Sequence, residues 1–468
     1  MFRQTVLYSA AQVVGRIMAF AALIVAGNVL GPARFGVFGN ATTYLVVIAI
    51  VSTFGLDLWI SRHVANSQLN RSSFIRIVAW RFSLSCMVVI LMVVAIWGGL
   101  LGSLIRTEPL PCALIVSSIF FDHISTTAIA ILEGRRRLTA CSWLTLVRWI
   151  SFSLLTLLLL WANPEFMSLA AAWLVSSGLR ALVSWFLVRG ELNTAPADFS
   201  IRNTLIQAAP LAVLNFMIVL YFHIDMVMLP EMAPAEHSGW YKMAYTLIES
   251  LLFLSAAVAA ALYPLFSNRQ TSLDIKAQRL SQALRLLAVI AMPIAWGTSL
   301  VSEPLIAMLF QSAEGDFGPS SNALNILVWA LPFMFANSSL VRLFLGLERQ
   351  KLALSMVSVT ALINLVLNAW SIPHWGYVGA ASATVFSEAF LTVAMSIAVR
   401  RWSHHYQPLK ATAPVFVCAA SVQVAGMIPM HPVVVVVLAA CVYGSLVLLF
   451  KLVSRSDLTQ FAREDIHD

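Results

Sequence analysis

Arg16, Arg148, Arg180, Lys242 and Arg342 each stand inside a run of apolar residues, and so do the acids Asp122, Asp225, Glu249 and Glu388. Asp57 and Glu303 lie nearer the ends of such runs. A charge in hydrocarbon costs several kcal/mol on most scales, so these side chains must face a bundle interior or an aqueous cavity. Guanidinium and ammonium groups gathered in such a place would grip an anion, the planar guanidinium offering several donors and the ammonium a point charge. Carboxylates there would instead hold a cation or relay a proton.

Counting from the turns at about 1.5 Å per residue places some of these groups at equal depth. Asp122 and Arg148 are equidistant from the turn at residue 135, and Asp225 and Lys242 from the turn near 233–234. Both are candidate ion pairs, either stapling two helices or facing a substrate. Arg16 lies at the centre of the first apolar run, too deep to snorkel, and no acid of the next run shares its depth. That leaves a cavity wall or a pair with a distant helix. Glu249 and Glu388 are also central, and either couple a cation or proton or hydrogen-bond between helices. Arg180 and Arg342 lie within snorkelling reach of one surface. His123 and His223 each neighbour an acid, and packing or hydrogen bonding accounts for them. Asn364 and Asn368, one helical turn apart, read as interhelical hydrogen-bonding residues.

No P-loop, GxSxG or HExxH occurs, so no catalytic constellation is indicated. Cys86, Cys112, Cys141, Cys418 and Cys441 form no CxxC pair or Cys/His cluster, which argues against a zinc site or a disulfide framework. The expectation is a non-enzyme that needs no cofactor or metal.

The elements that must position these charges follow from composition. Of 468 residues, 60% are hydrophobic and 11% charged, and the mean hydropathy is +0.85. Average soluble chains carry roughly 25% charged residues. A soluble enzyme, a disordered chain, a soluble nucleic-acid-binding protein and a single-anchor receptor are thereby excluded. The apolar runs have helical length, which excludes a β-barrel. The reading is an all-α polytopic membrane protein with about 14 transmembrane helices: 5–29, 36–60, 76–101, 109–132, 138–161, 166–188, 203–229, 240–265, 281–311, 322–346, 352–372, 377–399, 411–430 and 432–453. Tight connections are expected at Gly31–Phe35, Ala162–Glu165 and Ile372–Gly376. The first run is too long for a signal-peptide core and ends in Gly31-Pro32, so it reads as a membrane helix.

With the N-terminus inside, 22 of the 29 Lys and Arg residues fall at inner connections, including Arg135-Arg136-Arg137, the helix-start Arg81 and the tail residues Lys451, Arg455 and Arg463. Outer connections carry only Arg34 and Arg106, beside Glu165, Glu231, Glu236, Glu314 and Asp316. This split sets both termini in the cytoplasm. It also accounts for the +8 net charge as an orientation signal beside anionic lipid, not a nucleic-acid footprint. Short matches recur in order about 200 residues apart, as in Gly36-Val37-Phe38-Gly39-Asn40-Ala41 against Gly239-Trp240-Tyr241-Lys242-Met243-Ala244. They suggest a parallel repeat of six helices. The domain reading is an N-lobe at 1–199, a C-lobe at 200–402, and helices 13 and 14 with a cytoplasmic tail at 403–468, the two pseudo-symmetric six-helix lobes flanking a central cavity.

Several stretches resemble one family. Leu30-Gly31-Pro32-Ala33-Arg34-Phe35-Gly36-Val37-Phe38 is similar to the LGPxxFGxY turn of polysaccharide transporters. Gly55-Leu56-Asp57 to Arg62 resembles their GLD…R stretch, and Gly134-Arg135-Arg136-Arg137 their inner loop. Tyr221-Phe222-His223-Ile224-Asp225 resembles YFRID, with His in place of the commoner Arg. Gly239 to Tyr245 resembles GxYxxAY, and Asn364 to Ala381 resembles NxxLNxxxIPxxGxxGAA. These are the Wzx-type flippases of the multidrug/oligosaccharidyl-lipid/polysaccharide exporter superfamily, and the resemblance covers residues 1–400.

It implies two six-helix lobes, alternating access, and basic cavity residues that hold the diphosphate of a polyprenyl-linked oligosaccharide. Here that role maps onto Arg16 and Lys242, then Arg148 and Arg180, while Asp57, Asp225, Glu249 and Glu388 become coupling or cavity acids. The expected partners are the lipid-linked oligosaccharide, a proton or sodium ion as coupling ion, and membrane glycosyltransferases or a polymerase. The expected place is a bacterial cytoplasmic membrane. The competing reading is an ion-coupled multidrug or cation antiporter of the same superfamily, which calls for an acid-rich cavity.

Overall fold

The computed structural model describes residues 2–66, 71–98, 103–192, 201–312, 315–426, 432–450 and 452, and among them there is no strand. Lys451, Arg455, Arg463 and Glu314 of the topology reading lie outside the described residues. Seventeen α-helices follow in chain order: α1 (Phe2–Thr53), α2 (Leu56–Asn66), α3 (Arg71–Trp97), α4 (Pro109–Ser117), α5 (Ile119–Gly134), α6 (Leu138–Ala162), α7 (Phe166–Val188), α8 (Ile201–Met232), α9 (Ala235–Glu249), α10 (Leu252–Ser267), α11 (Leu273–Leu309), α12 (Pro319–Leu327), α13 (Leu331–Gly346), α14 (Gln350–Trp375), α15 (Tyr377–Trp402), α16 (Pro408–Gly426) and α17 (Pro432–Leu449). Helices dominate because lipid offers the backbone no hydrogen-bond partner.

Among the described residues eleven helical stretches are long and apolar enough to cross a membrane, where the sequence suggested about 14 segments. The difference is partly one of joins. The connection expected at 31–35 contracts to one non-helical residue, Gly31 (φ 70°, ψ 171°), so two expected segments run on as the kinked α1. Pro32 follows at the start of the resumed helix, where its missing N–H costs least. At 372–376 helix α14 continues through Pro373 to Trp375, and only Gly376 (φ 55°) breaks it. Conversely, the expected segment 36–60 is interrupted at Phe54 and Gly55, both at positive φ, before α2 begins. The connection at 162–165 is non-helical as expected, with Asn163 closing α6. Near the C-terminus, Val437–Leu449 is an apolar helix shorter than a span.

The chain divides into two compact units. The first comprises Met1–Lys242 with Phe310–Asp316, the second Met243–Leu309 with Phe317–Asp468. In the first, α1 packs mainly on α6 and α8, α7 on α6 and α5, and α2 on α5. One apolar core of this unit joins Leu56 and Ile60 of α2, Phe74 and Ile77 of α3, and Ala128 and Ile131 of α5. In the second, α10 packs on α13, α14 on α15, and α11 on α13 and α16. Its terminal core sets Val415, Ala419 and Val422 of α16 against Tyr443 of α17 and Ala288 of α11. Large apolar side chains such as Trp97, Trp161, Leu158 and Val94 are exposed, as suits helices solvated by lipid rather than water.

Candidate functional site

A polar cavity of about 360 Å³ lies inside the first unit. It is lined by Gln12 of α1, Asp57 of α2, Thr126, Ile129, Ala130 and Glu133 of α5, Thr145, Arg148 and Trp149 of α6, and Arg180 of α7. Three residues singled out for their charge, Asp57, Arg148 and Arg180, therefore meet on one cavity. The α5–α6 hairpin supplies most of the wall, with its tight turn at Arg135–Arg137. α1 approaches α6 closely because Gly15 has no side chain: a Cβ there would lie 2.6 Å from Cδ1 of Trp149.

Arg148 is held rigidly. It is buried, donates from Nη1 to the Oγ of Ser176, and its guanidinium lies 4.4 Å from the ring centre of Trp173. The rings of Trp149 and Phe152 are next, at 5.4 and 5.7 Å. Such cation–π contacts strengthen when desolvated. Trp173 is itself fixed by its Nε1–H to Ser118 Oγ at 3.2 Å, and by edge contacts with Phe38 and Phe152. The ion pair expected between Asp122 and Arg148 is absent from the described ion pairs: Asp122 Oδ1 is buried without a hydrogen-bond partner, while Arg148 turns to α7. Equal depth fixes height on two helices but not rotation about their axes.

Arg180 lines this cavity instead of only snorkelling to a surface, and its Nε–H is buried with no acceptor among the described residues. A buried donor left unmade costs about 1–3 kcal/mol, so an acceptor entering the cavity would relieve it. Asp57 faces the cavity with 42% of its side chain exposed, and behind it lies Arg81, fully buried, with Nη2 at 2.6 Å from Asp57 Oδ1. Arg81 also donates to Thr127 Oγ1 at 2.7 Å and Thr126 Oγ1 at 3.4 Å. The sequence reading placed Arg81 among the cytoplasmic basic residues; that is corrected here. It follows ten residues after Arg71, the first residue of α3, about 15 Å along the helix, and that depth was the available signal. On the wall itself Arg148 and Arg180 face the carboxylates of Asp57 and Glu133, and Arg81, behind the wall, pairs with Asp57. One layer further back, Ser85 Oγ and His123 Nε2 are 2.6 Å apart, the hydrogen bond expected for that histidine.

The other singled-out residues lie elsewhere. Arg16 is exposed on α1, one turn beyond Gln12 and on the same face, and it is not among the lining residues. Lys242 ends the first unit on α9, half-buried, its stem packed on Gly39 of α1. Asp225 is buried on α8; it accepts from the Tyr241 hydroxyl and, at 2.7 Å, from the Met226 N–H. Tyr241 was missed beside the more conspicuous Lys242. Glu249 is the last residue of α9, in the second unit. Glu388 is buried in the second unit, where the Asn337 amide donates to its Oε2 at 2.7 Å and its carbonyl at 3.1 Å. Thr392 in turn donates to Asn337 Oδ1 at 2.9 Å, so this acid joins α13 to α15. Asn364 donates across to Ser387 Oγ at 3.1 Å, and Asn368 back to Asn364 at 2.9 Å. Arg342 lies 5.8 Å from the Tyr263 ring. No group of three or more potential metal ligands occurs among the described residues, and all five cysteines are free.

The sequence profile of the family "Polysaccharide biosynthesis protein" matches residues 1–270, more than half of the chain. The chain belongs to that family. The MatE family profile matches residues 210–370, and together the two place the chain in the multidrug/oligosaccharidyl-lipid/polysaccharide exporter superfamily. Two relatives from Haloferax volcanii are similar. The "Probable low-salt glycan biosynthesis flippase Agl15" is 22% identical over 78% of this chain and 76% of its own length. The "Probable flippase AglR" is 26% identical over 44% of this chain and 43% of its own length. Among solved structures, the fold is shared with the lipid II flippase MurJ in its inward closed conformation (TM-score 0.75, 16% identity, 95% of this chain and 98% of that one). It is also shared with an inward-facing multidrug resistance MATE transporter (TM-score 0.66, 13% identity, 83% and 95%). The family member described here is a multi-pass membrane transporter, not an enzyme.

Proposed function

We propose that this family member flips a polyprenyl-diphosphate-linked oligosaccharide across the cytoplasmic membrane of a bacterium, for surface polysaccharide such as O-antigen, capsule or exopolysaccharide. The observation that carries the reading is the pair of guanidinium groups on the cavity wall, Arg148 and Arg180: Asp57 is already paired with Arg81, and the buried Nε–H of Arg180 has no acceptor among the described residues. A cation exporter would need the opposite sign. Relatives named as flippases in glycan biosynthesis support the substrate class.

In this reading the lobes 1–199 and 200–402 alternate access, with 403–468 appended and both termini cytoplasmic. Arg148 and Arg180, together with Arg16 and Lys242, hold the diphosphate and sugars in a hydrated space while the lipid tail stays in the bilayer. Arg148 is suited to this because its stacking on Trp173 fixes the guanidinium in place before ligand arrives, which lowers the ordering cost of binding. Asp57, Asp225, Glu249 and Glu388 remain coupling or cavity acids, and a proton or sodium ion the coupling ion. A membrane polymerase and glycosyltransferases are the partners that would consume and supply the lipid.

The test uses the native host. The gene is deleted and complemented with wild type, Arg148→Met or Arg16→Ala, and lipid-linked oligosaccharide is quantified on each membrane face. Loss of surface polymer with the lipid-linked unit retained inside, rescued by wild type only, is the expected result. Unchanged polymer and normal lipid-linked pools in the deletion would remove the reading and favour drug or cation export.

A further inference from the structure

The cavity in the first unit is too mixed in charge to be a plain phosphate grip. A diphosphate offers oxygen acceptors alone, and the carboxylates of Asp57 and Glu133 on the same wall also only accept when ionised. Acceptor facing acceptor repels, and the repulsion grows as water is excluded. Such a wall suits a ligand that also donates. Sugar hydroxyls do both, as do the hydroxyls of Thr126 and Thr145 and the amide of Gln12 on the same wall. Gln12 and Thr145 are already in contact, at 3.5 Å from Nε2 to Oγ1. The one aromatic ring among the lining residues is Trp149, an amphipathic surface of the kind that packs apolar C–H groups while leaving its edge to polar partners. The cavity volume of about 360 Å³ is at the small end of ligand sites, suited to a ring or two and not to a whole lipid-linked unit. Asp57 is already taken by Arg81, and among the lining residues the buried Nε–H without a described acceptor is that of Arg180, Arg81 behind the wall having another.

Resting on the flippase reading, and refining it, we infer that this cavity is a saccharide subsite for an acidic sugar: one pyranose ring lies against Trp149 and its carboxylate is taken by Arg180. Arg148, already committed to Ser176 and Trp173, supplies fixed positive potential. Asp57 and Glu133 accept from ring hydroxyls, and the Arg81–Asp57 pair is neutral as a unit. Within the four-residue grip the diphosphate is then left to Arg16 and Lys242, outside this cavity.

The experiment uses the full-length protein in nanodiscs and three probes: methyl glucuronide, the neutral methyl glucoside and inorganic pyrophosphate. Binding is followed by saturation-transfer NMR with competition. Wild type is expected to bind the glucuronide at least tenfold more tightly than the glucoside. Arg180→Gln removes that preference while leaving glucoside binding in place, Arg180→Lys restores part of it, and Trp149→Leu weakens both sugars. Trp149→Phe, the milder change, gives an intermediate loss if Trp149→Leu does not fold. Equal binding of the two glycosides, or an Arg180-dependent pyrophosphate site that displaces them, overturns the subsite. The two readings fail separately in proteoliposomes. Movement of a neutral lipid-linked oligosaccharide by a protein without the glucuronide preference removes the subsite and keeps the flippase. Glucuronide binding without movement of any lipid-linked saccharide keeps the subsite and removes the flippase.

Discussion

The Arg81–Asp57 pair is asymmetric, and the asymmetry predicts which half matters for folding and which for transport. Arg81 is fully buried, whereas 42% of the Asp57 side chain is exposed to the cavity. Removing one partner of a fully buried pair costs about 3–5 kcal/mol, chiefly because the other charge is stranded without water. Asp57→Asn strands Arg81 with only Thr127 and Thr126 as acceptors; allowing for the exposed side of the pair, the cost is about 2–3 kcal/mol. Arg81→Met strands only a carboxylate that already reaches an aqueous cavity, so its cost is about 1 kcal/mol or less. The double variant should resemble Arg81→Met alone, a coupling of about 2–3 kcal/mol in a double-mutant cycle. Transport runs the other way: freed from Arg81, Asp57 opposes the positive charge of Arg148 and Arg180 on the same wall, so Arg81→Met folds well and flips poorly. Denaturant unfolding of the purified protein in detergent, alongside a flipping assay, measures both. Equal destabilisation by the two single variants, or Arg81→Met as the worse folder, would refute this account of the pair.

Four further outcomes are expected. Arg148→Lys loses the planar contact with Trp173 and should lower transport at least tenfold, by about 1.4 kcal/mol or more, while Ser176→Ala costs about 1–2 kcal/mol of stability for one charge-assisted hydrogen bond. Asn337→Ala takes the amide from Glu388 at 2.7 Å and should destabilise by about 2 kcal/mol; a glutamine at 388 in the same background should recover part of that loss, as read by thermal melting. At Gly239 a Cβ would collide with the backbone carbonyl of Pro32 at the α1 kink, so Gly239→Ala should open this seam and raise labelling of a cysteine placed at Asn28, whose side chain accepts from the Gln311 N–H at 2.6 Å; unchanged labelling would show that the backbone yields instead. Burial pushes the Tyr406 phenol up to about 12. Its folded value lies above its unfolded one, so its stabilisation is complete below about pH 10 and is lost as pH rises toward 12, a loss of about 2–3 kcal/mol. Tyr406→Phe should flatten that alkaline limb in a pH series of melts, at the cost of the 2.9 Å contact with Ser396.

The helical, membrane-spanning character and the importance of the intramembrane charges were legible because both follow from hydropathy and from the cost of a charge in lipid. Depth along the chain was legible too, since Arg148, read inside its run, is buried, and the one-turn spacing of Asn364 and Asn368 marked a hydrogen-bonding pair. Rotation about each helix axis was not. Asp122 and Arg148 share a height, yet Arg148 points to Ser176 and Trp173 on α7, a helix that contributes nothing to their depth count. Asp225 accepts from the hydroxyl of Tyr241, about 100° around α9 from Lys242, a partner that a depth count does not point to. Arg81 was masked by an end-of-helix rule, because a basic residue near the start of an inner helix ordinarily marks orientation. Asn337 gave no signal of its own, since an isolated asparagine in an apolar run has meaning only once Glu388 is opposite it. The joins at Gly31 and Gly376 were placed correctly but overestimated in length: one residue at positive φ reorients the chain without a loop.

The most direct test of the central claim is movement of the lipid itself. Purified protein is reconstituted into liposomes with a fluorescent polyprenyl-diphosphate oligosaccharide, and the fraction reached by an impermeant quencher is followed with time for wild type and Arg148→Met. The account predicts that wild type exposes the protected pool to the quencher and that Arg148→Met, equally well folded, slows this at least tenfold. A wild-type trace no faster than protein-free liposomes, or an Arg148→Met trace indistinguishable from wild type, would contradict it.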